Sequence, residues 1–197
     1  MRAISSVAFV VVLSLSAGVA LTCLRVESHE AIFAATHGAS TEYRGRVVYV
    51  DDGDTVIVRK ESGEQVNVRL ASIDAPELSH TRQEAGRLGQ PYAYEAKRYL
   101  VSLVKGKVLD LKCPDADRYG RSVCDLIVDG RSIDQEMVRQ GWAWANEAAH
   151  GRYMRDPEMP GLEAEARRER RGLWAGENPV PPWEWRSRCW EQGVCPN

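Results

Sequence analysis

Apolar and polar residues begin to alternate near Tyr43, and the alternation marks out short strands. Arg46-Val47-Val48-Tyr49-Val50 runs into an Asp51-Asp52-Gly53-Asp54 turn, and Thr55-Val56-Ile57-Val58 leaves it. Glu61-Ser62-Gly63-Glu64 reads as a hairpin turn leading to Val66-Asn67-Val68-Arg69-Leu70. In that third strand Val66, Val68 and Leu70 share one face, which puts Asn67 and Arg69 on the polar face. The period then changes. Pro91 is suited to the first position of a helix, and Ala93, Ala96, Leu100, Leu103 and Val104 follow at helical spacing as one buried stripe. Val108 to Cys113 and Ser122 to Val128 are predicted strands joined by Asp117-Arg118-Tyr119-Gly120-Arg121. Ser132 with Gln135 has the capping-box pattern for a short helix ending at Gly141. A last helix is predicted from Leu162 to Arg171, with acids early, arginines late and Gly172 as its stop.

Three strands, a helix, two strands and then helices describe an α+β protein that is mainly β. The economical architecture is a five-stranded OB-fold Greek-key barrel with about three packed helices. The barrel domain is expected over residues 43–175, after a small-residue and polar linker at 25–42. Residues 176–197 form a tail rich in Pro and Trp, expected to be irregular, with Trp183, Trp185 and Trp190 packing it onto the barrel.

The N-terminus adds a location. After Arg2, residues 3–24 are uncharged and mostly apolar, densest from Val7 to Leu15. A signal peptide over 1–24 and an uncleaved membrane anchor both fit, with Gly18-Val19-Ala20 offering small residues for cleavage. Either reading puts the rest of the chain outside the cytoplasm, periplasmic, secreted or tethered. Cysteine usage agrees with export. Apart from Cys23 there are Cys113, Cys124, Cys189 and Cys195, and four cysteines allow three pairings. Cys113 with Cys124, on successive strands, and Cys189 with Cys195, closing a short loop, are the preferred local pairs. No CxxC or nearby histidine completes a zinc ligand set.

Overall charge narrows the chemistry. Of 197 residues 44% are hydrophobic and 27% charged, with a formal net charge of -2, so no bulk basic character announces a nucleic-acid binder. A polyanion would have to be handled by a local site. Hydrolysis of a phosphodiester calls for cationic forks on the phosphoryl oxygens, a group that positions or deprotonates water, and usually a metal. Arg69 and Arg121 can supply the forks, since guanidinium binds phosphate in bidentate fashion. Glu77 can take the proton, and Asp54 and Asp74 are hard oxygen ligands suited to calcium. Singly, each residue has a plain structural reading: Asp54 in a turn, Arg69 solvated, Arg121 paired with Asp117, Glu77 in a loop. It is the set, at these spacings, that points to chemistry.

Asp52-Gly53-Asp54-Thr55, Val68 to Glu77 and Asp117-Arg118-Tyr119-Gly120-Arg121 are similar to the three signature blocks of the thermonuclease (staphylococcal nuclease-like) family. Val138 to Ala143 and Gly172-Leu173-Trp174 resemble its later, structural signatures, so the resemblance runs from Tyr43 to Trp174. It implies an OB-fold with Ca2+ held by Asp54, Asp74 and the backbone carbonyl of Ala75. It implies that Glu77 acts on the attacking water and that Arg69 and Arg121 stabilise the transition state. Tyr119 and Arg118 would contact a neighbouring phosphate. DNA and RNA are the implied substrates, cut to leave 3′-phosphate ends by a monomer needing no protein partner. Ala75 stands where the best-known members carry Thr, and Leu78 to Gln90 differs in content. No counterpart of the family's base-stacking tyrosine follows Gly141, which leaves Trp144 and Tyr153 as candidates. Two other classes stay open: a silent OB module binding single-stranded nucleic acid, and an envelope-anchored structural protein.

Overall fold

The computed structural model describes residues 41–79 and 87–196. The predicted leader, most of the linker, Cys23 and His80 lie outside the described residues. Among the described residues no helix is long and apolar enough to cross a membrane.

Five strands make the barrel: β1 (Thr41–Val50), β2 (Thr55–Lys60), β3 (Gln65–Leu70), β5 (Val108–Ala116) and β6 (Ser122–Val128). β1 is the hub. Its first half pairs with β5 from Thr41↔Cys113 to Arg46↔Val108, and its second half pairs with β2 from Gly45↔Lys60 to Val50↔Val56. Both partners meet around Gly45, where a Cβ would lie 2.5 Å from Val58 Cγ1 and 2.7 Å from the Arg59 carbonyl oxygen. Only glycine allows the strand to pass that point undisturbed. Thr41 and Glu42, within the expected linker, are paired with β5. Antiparallel β2–β3 and β5–β6 pairings follow, and a parallel β3–β6 contact, Val68↔Ser122 to Leu70↔Cys124, closes the ring. The expected five-stranded OB-type barrel is the observed one.

Alternate residues of these strands fill the interior: Val56, Val58, Val68, Leu70, Leu109, Leu111 and Leu126 are all buried. Helix α1 (Ala93–Val104) covers the barrel with Ala93, Ala96, Leu100 and Val104, most of the predicted stripe. It starts two residues after Pro91, because Tyr92, at φ 67°, takes the cap position in a left-handed conformation. Helix α2 (Ile133–Arg139) follows a two-residue strand β7 (Arg131–Ser132), and the Gln135 N–H donates to Ser132 Oγ as the capping pattern requires. Helix α4 (Met159–Arg168) lies three residues earlier in the chain than predicted, after a distorted turn α3 (Ala148–Gly151).

Two features have no counterpart in the periodic pattern. Two-residue strands β4 (Ile73–Asp74) and β8 (Trp144–Ala145) pair as Ile73↔Ala145 and Asp74↔Trp144. The tail, expected to be irregular, is ordered: a single-turn helix α5 (Pro182–Trp185) continues into a wide helical turn over Arg186–Glu191. Pro182 sits at the start of α5, where its missing N–H and fixed φ suit a helix. Disulfides join Cys113 to Cys124 and Cys189 to Cys195, the two local pairs expected.

Candidate active site

Register alone draws the predicted residues together. β2–β3 pairing sets Thr55 opposite Arg69, so Asp54 arrives beside the arginine. β3–β6 pairing sets Val68 opposite Ser122, which brings Arg121 to the same end of the barrel. β4 follows directly on β3, and it carries Asp74 back under Arg69. The turn before β2 approaches closely because residue 53 is glycine: a Cβ there would lie 2.6 Å from the Ala75 Cβ.

Both aspartates are buried, and Arg69 joins them. Its Nη1 pairs with Asp54 Oδ1, while Nη2 donates to Asp74 Oδ1 (2.9 Å) and to the Ile73 carbonyl (3.3 Å). Asp54 Oδ2 accepts the Ala75 N–H (2.7 Å), and Oδ1 accepts the Thr55 hydroxyl (3.1 Å). Asp52 Oδ1 in turn accepts the Asp54 N–H (2.9 Å). Burial pushes the Asp54 carboxyl up, but Arg69 and the Ala75 N–H outweigh it and hold the group below its ordinary value. Asp52 goes the other way, driven well up by burial and then by the neighbouring Asp54. Arg69 lies on the polar face of β3, as the alternation predicts, and its acidic partners hold its pKa above normal against the effect of burial.

Glu77 is anchored by its backbone. Its N–H donates to Gln90 Oε1 (2.9 Å), its carbonyl accepts the Gln90 N–H (2.8 Å), and Gln90 Nε2 donates to the Val180 carbonyl of the tail (2.9 Å). Burial raises the Glu77 carboxyl from 4.5 to about 7, with Arg186 opposing and Asp74 and Asp54 reinforcing the rise. That is the range a general base near neutrality needs.

Arg121 sits at the edge. Asp117 takes its Nε (2.7 Å), as the plain structural reading had it, while Nη1 reaches Thr55 Oγ1 at 3.5 Å. It therefore connects to Asp54 through Thr55. Asp117 Oδ1 also accepts the N–H groups of Tyr119 and Arg121 (both 2.9 Å), an Asx-type turn that stiffens the loop. Tyr119 is 69% exposed, and Arg118 both stacks on its ring at 4.8 Å and donates to its hydroxyl (2.7 Å). The pair faces solvent beside the cluster. Of the stacking candidates, Trp144 is buried edge-on against Trp174 at 5.2 Å and cannot stack a base; Tyr153 is half-exposed.

Two residues of the cluster, Asp52 and Arg186, are absent from the sequence-based set. Arg186, on the tail, donates through Nη2 to Asp74 Oδ2 (2.7 Å) and through Nη1 to Asp74 Oδ1 (3.2 Å), and Nη1 also pairs with Glu77 Oε1. No local pattern flags it, since its partners lie 112 and 109 residues earlier. Pro182 opening a short helix, the tryptophans and the Cys189–Cys195 pair were the available signals that the tail is ordered.

Asp54 and Asp74 carry hard carboxylate oxygens, the donor type a divalent cation takes. Asp52, Asp54, Asp74 and Glu77 bring four carboxyl groups to the guanidiniums of Arg69 and Arg186, with Asp52 and Glu77 pushed toward their neutral forms. The aspartates are held by guanidinium nitrogens, and among the described residues no three acidic, histidine or cysteine side chains stand close enough to share an ion.

A small OB-type barrel with buried carboxyl groups and arginines at one end is the class of protein these observations define. A profile of the staphylococcal nuclease homologue family matches residues 67–176, more than half of the chain, and the chain belongs to that family. It is 42% identical over 148 residues to an uncharacterized endonuclease of Escherichia coli O157:H7, covering 75% of this chain and 87% of that one. It is 37% identical over 172 residues to Protein ParB of Escherichia coli, covering 83% and 90%. A probable staphylococcal-like nuclease, CAN1, of Oryza sativa subsp. japonica is 38% identical over 134 residues, which span 68% of this chain and 35% of the plant protein. The match ends at residue 176, before Arg186.

Proposed function

We propose that the chain is an exported, calcium-dependent nuclease that hydrolyses phosphodiester bonds of DNA and RNA and leaves 3′-phosphate ends. The observation that carries this reading is the convergence of Asp54 and Asp74 on Arg69, with Glu77 joined to Asp74 through Arg186 and Arg121 linked to Asp54 through Thr55. Family membership and relatives named endonuclease and nuclease support the reaction class. Two disulfides support an oxidising compartment.

In this reading Asp54, Asp74 and the backbone carbonyl of Ala75 would hold the cation. When bound, it supplies positive charge for a phosphoryl oxygen and for the attacking water. Glu77 takes the proton of that water, its pKa placed near neutrality by burial. Arg69 and Arg121 present guanidinium forks to the pentavalent phosphorus, where charge on the oxygens is greatest. Asp117 fixes the plane of Arg121 through Nε, and its terminal nitrogens, Nη1 now 3.5 Å from Thr55 Oγ1, are the ones that would meet the phosphate. Arg118 and Tyr119, exposed and stacked together, suit a neighbouring phosphate of the same strand.

The test is cutting of single-stranded DNA with added calcium, with excess chelator, and with Glu77→Gln. Calcium-dependent cutting is expected, and Glu77→Gln should lower turnover by about 10² to 10⁴-fold. An unchanged rate in the variant would remove Glu77 from the mechanism. Binding without cutting under all conditions would favour the silent OB module.

A further inference from the structure

Arg186 belongs to a segment that the family match does not cover, yet its side chain occupies the centre of the candidate site. Its delivery is built into the fold. The indole N–H groups of Trp185 and Trp190 both donate to the Leu88 carbonyl (3.0 and 2.9 Å), on either side of Arg186 in sequence. Gln90 ties the tail at Val180 to the backbone of Glu77. The Cys189–Cys195 disulfide closes the loop behind. The guanidinium is thus held by a braced segment.

What it holds is Asp74, which is 2% exposed at its side chain. Arg186 covers both oxygens of that carboxylate, and Arg69 shares one of them. A carboxylate buried to this degree needs a positive partner, and a bidentate guanidinium is a good one. A divalent cation seeking the same two oxygens meets a unit positive charge already seated there. The two cannot both sit on Asp74 without strong like-charge repulsion in a poorly solvated space.

We propose that Arg186 is the tail-borne counter-cation of the active site, and that it and a divalent ion exclude one another at Asp74. The proposal rests on the calcium reading above. In the ion-free protein Arg186 neutralises Asp74 and Glu77; loading the site requires its guanidinium to withdraw. Its side chain is 34% exposed, so it can swing toward solvent while Trp185 stays in place. The tail thereby sets the calcium concentration at which the site fills.

The experiment is calorimetric titration of the full chain with calcium chloride, without nucleic acid, for wild type, Arg186→Ala, Arg186→Gln, Arg186→Lys and Arg188→Ala. The last is a control, because Arg188 pairs with Glu184 at the surface. Removing one opposing unit charge at a partly screened site should tighten calcium binding about tenfold in the Ala and Gln variants. Lys, which keeps the charge, and the Arg188 control should stay close to wild type. In thermal unfolding, calcium should raise the midpoint of Arg186→Gln more than that of wild type. Equal or weaker calcium affinity in folded Arg186→Gln would overturn the proposal and leave Arg186 as a brace for Asp74. Absence of calcium binding in every variant would overturn the calcium reading itself, and this proposal with it.

Discussion

Glu77 combines three constraints in one side chain: a backbone clamped by Gln90, a carboxyl lifted to about 7 by burial, and an ion pair with Arg186. The lifted pKa makes a prediction about stability as well as catalysis. Its value is raised in the folded state, so the folded protein binds a proton that the unfolded chain has released between about pH 4.5 and 7. The stabilising contribution of the protonated form is complete below that window and lost as pH rises through it. Thermal unfolding of the ion-free protein should therefore show wild type losing stability relative to Glu77→Gln across this range. Parallel curves would mean that Arg186 keeps the carboxyl at its ordinary value. Asp54 shows the opposite balance in the same cluster, since direct bonds from Arg69 and Ala75 offset its burial.

The two-residue strand pair β4–β8 is small, but it positions Asp74. Its support comes from α4. Glu163, one of the early acids of the predicted last helix, is buried, and its Oε2 accepts the Ala145 N–H (2.7 Å) while Oε1 pairs with Arg167. The helix thus satisfies a backbone donor of β8, which in turn pairs with β4. Glu163→Ala leaves that buried N–H unsatisfied and should destabilise the protein by about 1–3 kcal/mol, read from urea unfolding. Glu163→Gln keeps an acceptor and should lose less. Equal losses for the two variants would assign the effect to the Arg167 pair instead. Beyond the helix end Arg171 pairs with Glu165 and Glu169.

Across the whole molecule, long-range pieces converge on one end of the barrel. The tail packs through Trp185 and Trp190 on Leu88, and a second apolar cluster of Trp144, Ala166, Leu173 and Trp174 joins α4 to it with Tyr92 and Trp183 alongside. On either side of the Asp117–Arg121 loop, the Cys113–Cys124 bond ties β5 to β6 across 11 residues. Replacing both cysteines by Ala should cost about 2–3 kcal/mol of stability, the usual effect of opening a short loop. Calcium-dependent cutting should survive below the lowered melting temperature, since neither sulfur touches the carboxyl cluster. Loss of cutting in the folded variant would show that the β5–β6 bridge also positions Arg121.

The chain's local pattern was enough for the barrel strands, α1 and the Ser132 cap, while residue chemistry and the family resemblance singled out Asp54, Arg69, Asp74, Glu77 and Arg121 as candidates. Strand and helix periods are properties of near neighbours, and turn residues such as Gly53 act within a few positions. Pairing decided the rest. β4 and β8 are too short to carry a period, and they exist because residues about seventy apart happen to meet. The burial of Glu163 depends on a partner in another element, which helical spacing of charges cannot reveal. Arg186 is the largest omission: a lone arginine between tryptophans has no local signature, and it joins the site only because the folded tail brings it to Asp74 from 112 residues away. Contacts at that separation are set by the closed barrel and the packing around it, and only the tertiary structure holds that information.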